Sequence, residues 1–174
     1  LRELAFALNM TGFGAGVFMY VGLLALTMAR HFLGAPVEGK MTPTLWVHLA
    51  PLSVIPLSML ALLKTTGDAS LLRYGSLVAA AFLGAALWWL VLAVSMTIRN
   101  RRQGKLPFAL SWWAFVFPIG ACSVLAYRVS ELLALEVLPL VASGLTLLAL
   151  FVWSATALGT VRGIRTGAIF APAH

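Results

Sequence analysis

The chain has 174 residues, 61% of them hydrophobic and only 10% charged, with a formal net charge of +7. About a quarter of an ordinary soluble domain is charged. A chain this apolar cannot hide its surface in one water-soluble core, so the composition excludes a soluble enzyme or binding module and requires a membrane. The basic excess does not point to nucleic acid as a partner, because the Lys and Arg residues fall in short stretches between apolar runs, as membrane topology demands.

Five runs are long enough to cross a hydrocarbon core of ~30 Å, which takes ~20 helical residues. They cover residues 4–29, 44–64, 71–98, 107–127 and 137–161. With no water in the bilayer core to satisfy its backbone, each must be a helix. The expectation is an all-α integral membrane fold, one transmembrane domain over residues 1–174, with short connections that make successive helices antiparallel neighbours.

The first run carries Gly12, Gly14, Gly16 and Gly22, and Gly12-xxx-Gly16 is a small-residue face for close helix packing. The second holds Pro51 and Pro56, with His48, Ser53 and Ser58 beside them. The third has no proline. The fourth contains SWWAFVFPIGA, residues 111–121, with Pro118 in its middle and Gly120 and Ser123 just beyond. The fifth has only Pro139, in its first turn, where proline is harmless. A proline inside a helix removes a backbone N–H and pushes aside the carbonyl four residues back; here these are the carbonyls of Val47, Leu52 and Ala114. Such a carbonyl is tolerated where the helix is buried in protein or lines a wet cavity. Pro51, Pro56 and Pro118 therefore mark the second and fourth spans as kinked inner helices, and the other three as an outer layer.

Counting Lys and Arg on alternating sides gives four on one and eight on the other. The richer side holds Arg30, Lys40, Arg99, Arg101, Arg102, Lys105, Arg162 and Arg165, and is assigned to the cytoplasm. The chain is then expected to start outside and end inside, in an inner or plasma membrane. An outside start is natural if an odd number of helices comes before Leu1.

Little in the spans can do covalent chemistry. Asp68, Glu131 and Glu136 are expected in loops and Glu3 at a helix end, so no buried carboxylate is available for proton coupling. No zinc-protease, serine-hydrolase or phosphate-loop motif occurs. The single cysteine, Cys122, rules out an intrachain disulfide and a cysteine metal cluster. A b-type haem takes two axial histidines, whereas His48 is the only histidine expected within a span, with His31 in a loop and His174 terminal. Neither cofactor nor metal is expected. The hydroxyls of Ser53, Ser58 and Ser123, with freed carbonyls and apolar rings, suit an anion path better than a cation path. Phe117 lies ten residues past Pro107, ~15 Å into the membrane, beside Pro118 and with Gly120 leaving it room. It either plugs a narrow pore or packs against a neighbouring helix.

SWWAFVFPIGA resembles the helix-nine signature of the tellurite-resistance/dicarboxylate transporter family, which includes slow-type anion channels and malate and sulfite permeases. PTLWVHLAPLSV, residues 43–54, resembles the family's second signature. The resemblance covers the chain as a C-terminal half, and implies helices six to ten of a ten-helix pore of hairpins with proline-kinked inner helices, often assembled as a homotrimer. It assigns the pore-occluding ring to Phe117, with Phe115 as the fallback one register away. Departures are Leu52 after Pro51, where some members have a second proline, and His48.

The resulting expectation is a non-enzymatic transport protein for small inorganic or carboxylate anions, working in the lipid bilayer through a pore gated by Phe117. The first alternative is an alternating-access carrier for C4-dicarboxylate, sulfite or tellurite-type oxyanions; the second is a haem- or quinone-binding membrane subunit.

Overall fold

The computed structural model describes residues 2–34 and 42–167. Six α-helices follow one another: α1 (Arg2–Leu33), α2 (Thr42–Val47), α3 (Leu49–Thr66), α4 (Ala69–Arg102), α5 (Trp113–Leu133) and α6 (Leu138–Thr166), with a 3₁₀ turn at Leu110–Trp112 leading into α5. No strand occurs among the described residues. Five spans are long and apolar enough to cross a membrane, α2 and α3 together forming the second. The expected all-α membrane fold is what the chain adopts.

The helices outrun the apolar segments that announce them. Hydrophobicity marks only the hydrocarbon crossing, whereas backbone hydrogen bonding continues until something stops it. Between α3 and α4 the stop is two residues long. Gly67 takes the left-handed conformation (φ 73°) and caps α3, its N–H bonding to Lys64 O; Asp68 then caps α4, its Oδ1 accepting from Ser70 N (2.8 Å) and Leu71 N (3.2 Å). At the end of α5, Ala134 adopts φ 52° and ends the helix six residues past its expected limit. Glu131, expected in a loop, is therefore helical and pairs with Arg128 at 2.8 Å. His31, also expected in a loop, belongs to the last turn of α1, its Nδ1 bonding to Thr27 O at 2.8 Å.

Two further expectations change. The fourth span does not begin at Pro107: residues 105–109 are irregular, and the helical run starts at Leu110. Phe117 is then seven residues in, ~10 Å along the helix. Nor is Pro51 in the middle of a helix. The second span breaks at His48, and Pro51 is the third residue of α3, where its missing N–H has no intrahelical partner to lose. Pro56 and Pro118 do lie inside continuous helices.

Burial sorts the spans into layers. Within the most apolar stretch of each, 39% of residues in the second span and 44% in the fourth are buried, against 6%, 28% and 11% in the first, third and fifth. Leu49, Leu52, Ile119, Cys122, Leu125 and Val129 of α3 and α5 form the centre of the core, closed by Ala79, Leu83 and Ala86 of α4. α1 packs chiefly on α3 by its flank, His31 in its last turn also meets Trp89 of α4, and its outer face is exposed.

Candidate functional site

The break at His48 leaves backbone carbonyls without helix partners, and side chains from α1 and α4 supply donors. Trp89 Nε1 donates to Leu45 O at 2.7 Å and Tyr20 Oη to His48 O at 3.4 Å; Leu52 N reaches His48 O at 3.4 Å, a stretched first bond of the new helix. Two more bonds hold α2 against α4: Trp46 Nε1 to Thr97 Oγ1 (3.0 Å) and Asn100 Nδ2 to Thr42 Oγ1 (2.6 Å). α2 is thus tied to the outer layer just ahead of the break.

An open groove runs between α1, the broken span and α5. Gly16 and Tyr20 line it from α1, Val47, Pro51 and Val54 from the broken span, and Ala114, Phe117 and Pro118 from α5. Tyr20 bears the only polar side-chain group of the lining, and its hydroxyl is directed to the His48 carbonyl. Pro51 and Pro118 both face this groove, and so do Val47, the last residue of α2, and Ala114, whose carbonyl Pro118 leaves without its usual helical donor. The break of the second span and the internal proline of the fourth thus open onto one space.

Phe117 lies in that groove, 64% exposed; Phe115 is 5% exposed. The Phe115 ring packs edge-on against Trp46 (5.2 Å between centroids) and Trp112 (5.8 Å). Trp113, four residues before Phe117, is turned to α6, where its Nε1 donates to Thr160 Oγ1 at 3.2 Å. Gly120 is half-buried, and a Cβ there would meet open space.

The hydroxyls do not gather in the groove. Ser53 is fully buried and donates to Leu49 O of its own helix at 2.9 Å. Ser123 is buried at the α5–α6 seam, 2.8 Å from Ala142 O and 2.7 Å from Thr146 Oγ1. Ser58 is half-buried and lies outside the groove lining. His48 is half-buried too, but its ring lies between those of Tyr20 (6.2 Å, tilted) and Trp89 (5.1 Å, edge-on) and does not line the groove. On the other side of Trp89 stands His31, at 5.8 Å, its buried Nε2 without a hydrogen-bond partner. Among the described residues no group of three or more His, Cys, Asp or Glu side chains could hold a metal ion.

Sequence reasoning missed Tyr20, Trp89 and Asn100, the residues that secure the break. The available signal was the buried tryptophan of the third span: an indole N–H inside a membrane protein needs an acceptor, and a proline-broken helix nearby supplies one.

The family model described as SLAC1, voltage-dependent anion channel, matches residues 3–161. Among curated proteins the chain is similar to two from Methanocaldococcus jannaschii, the uncharacterized transporters MJ0576, 32% identical over 169 residues, and MJ0762, 31% identical over 169 residues. Each alignment covers 97% of this chain and 49% of the relative, so the chain spans about half the length of the curated relatives it matches. No solved structure matches. With the family match running from α1 into the last turns of α6, the chain belongs to the SLAC1 family of voltage-dependent anion channels.

Proposed function

We propose that this chain supplies one half of a channel-like pore for small inorganic or carboxylate anions, with the groove between α1, α3 and α5 as its share of the pore wall and Phe117 as the ring that obstructs it. The observation that carries this reading is the convergence of Pro51, Pro118, Val47, Ala114 and Phe117 on one open groove. Freed carbonyls are costly against lipid and tolerable beside a water-filled path. The reading extends to a homotrimer of ten-helix subunits in an inner or plasma membrane, this chain contributing helices six to ten, starting outside and ending in the cytoplasm. It assigns the protein no catalytic role. A bulky ring in an apolar constriction gates by blocking the path and by dewetting it, so its removal should let anions through.

The test is anion flux in proteoliposomes of the full-length protein carrying Phe117→Ala. Flux well above wild type is expected. A folded variant that conducts no better than wild type would remove Phe117 from the gate. Saturating, proton-coupled flux with no single-channel current would move the reading to an alternating-access carrier for a dicarboxylate or an oxyanion such as sulfite or tellurite.

A further inference from the structure

The described acidic residues are confined to one end, whereas basic residues occur at both and are more numerous at the other. The bonds Asn100–Thr42 and Trp113–Thr160, joined by the Trp46–Phe115 ring contact between α2 and α5, place the end of α4, the starts of α2 and α5, and the end of α6 at one level. At that level stand Arg99, Arg101, Arg102, Lys105, Arg162 and Arg165. The described acidic residues, Glu3, Asp68, Glu131 and Glu136, all lie at the opposite end, and the only ion pair among the described residues, Arg128–Glu131, is there as well. Glu38, the one acid that the sequence assigns to the basic end, lies outside the described residues.

A cleft opens at this basic end between α6 and the irregular 105–109 segment. The Phe108 ring rests against α6 at Gly159, where any side chain would overlap it. Beside that contact the cleft is lined by Ala155, Leu158, Arg162 and Gly163. It measures about 480 Å³, within the ~300–1,000 Å³ of small-molecule sites. The Thr166 hydroxyl is committed to Arg162 O of its own helix (3.0 Å), which leaves the Arg162 guanidinium as the polar group the cleft offers. Leu158 and Phe151 continue the same face of α6 away from Arg162, at spacings of four and seven residues, and are 60% and 72% exposed. From Arg162 back to Phe151 is ~16 Å of helix, about half of a ~30 Å hydrocarbon core.

We propose that this cleft holds an anionic phospholipid, its phosphate on Arg162 and an acyl chain along the Leu158–Phe151 face of α6. The guanidinium fork matches two phosphate oxygens, and the basic end, which holds no acid among the described residues, raises the local potential for an anion. The carbonyl end of α6 works weakly against the phosphate, but its last turn is capped by Gly167 N to Ile164 O (3.2 Å). A free phosphate would satisfy Arg162 and leave the apolar stripe unused. A second copy of the chain inserted in the same direction would bring basic residues, not acids, to this level.

The experiment is native mass spectrometry of the full-length protein exchanged into mixed micelles of phosphatidylglycerol and phosphatidylcholine. Wild type should retain phosphatidylglycerol preferentially. Arg162→Gln should weaken retention about tenfold, as loss of a charged hydrogen-bonded pair does; Leu158→Asn should weaken it without changing the charge. Arg102→Gln, outside the cleft, should leave it unchanged. The proposal is overturned if Arg162→Gln retains the lipid like wild type, or if Arg102→Gln loses as much, which would mean a diffuse basic belt. Displacement of the lipid by inorganic phosphate, or a lower oligomeric mass for Arg162→Gln, would equally overturn it in favour of a soluble anion or a second copy. Lipid retention is read without any transport assay, so it stands or falls separately from the gate.

Discussion

Phe115 and Phe117 are two residues apart on α5 and stand in opposite environments: the first is wedged between Trp46 and Trp112, the second projects into the groove beside Pro51. Two residues turn a helix by ~200°, so one ring faces the core and the other cannot. Their alanine variants should separate accordingly. Phe115→Ala removes two edge-to-face contacts and leaves a cavity. Its cost should be about 3 kcal/mol, the lower end of the range for large-to-small changes in soluble cores, because lipid replaces water as the competing solvent. Phe117→Ala should leave the melting temperature in detergent almost unchanged and raise anion flux. Thermal unfolding and liposome flux on both variants check the pair, and a Phe117→Ala protein that melts far below wild type would contradict the exposed placement.

The break at His48 depends on Trp89. Its indole N–H reaches Leu45 O at 2.7 Å while its ring lies between His48 and His31. Trp89→Phe keeps an aromatic ring but leaves a buried carbonyl short of its donor, a loss of about 1–3 kcal/mol. The local consequence should be faster amide exchange through α2 and the first turn of α3, with the exchange of α5 and α6 untouched. Uniform acceleration across all helices would show that Trp89 supports the fold generally and not the break.

Much of this architecture is legible in the sequence, and the limits have physical causes. Apolar run length finds all five spans because the bilayer fixes that length. It places the ends poorly, since helices such as α4 continue through Arg99–Arg102 once the chain has left hydrocarbon. The proline pattern marks the second and fourth spans as the buried pair, and their burial agrees. Hydroxyl placement is not legible: a serine in an apolar run reads as pore lining, yet within a helix its cheapest partner is a carbonyl of its own or the next helix, which is where Ser53 and Ser123 go. The pairing of Trp89 with Leu45, 44 residues away, requires the packed helices to be seen.

Ser123 gives a prediction that opposes its expected pore-lining role. Its hydroxyl shares the Ala142 carbonyl with Thr146 across the α5–α6 seam. Ser123→Ala should lower stability by about 0.6 kcal/mol and by no more than ~1.7 kcal/mol, the mean and maximum measured for interhelical hydrogen bonds in a membrane protein, and leave relative anion permeabilities as they are. A shift in permeability ratios with unchanged stability would return Ser123 to the pore. Stability in detergent and reversal potentials in mixed anions are the two measurements.

Gly159 tests how the 105–109 segment is held. The Phe108 ring occupies the space that a Cβ at 159 would need, so Gly159→Ala must either push the ring away or shift α6. Overpacking of this kind costs about 1–3 kcal/mol. The clash has two partners, and removing the second should relieve it: Phe108→Ala should be mildly destabilising alone, because the ring also packs on Trp112 at 5.5 Å, and should cancel most of the Gly159→Ala cost when the two are combined. A double-mutant cycle by thermal unfolding reads this directly, with an expected coupling of about 1 kcal/mol or more. Additive effects would mean that Gly159→Ala acts through the backbone of α6 alone, where replacing glycine by alanine inside a helix is otherwise favourable. The Phe108–Gly159 contact would then not be what fixes the approach to α5.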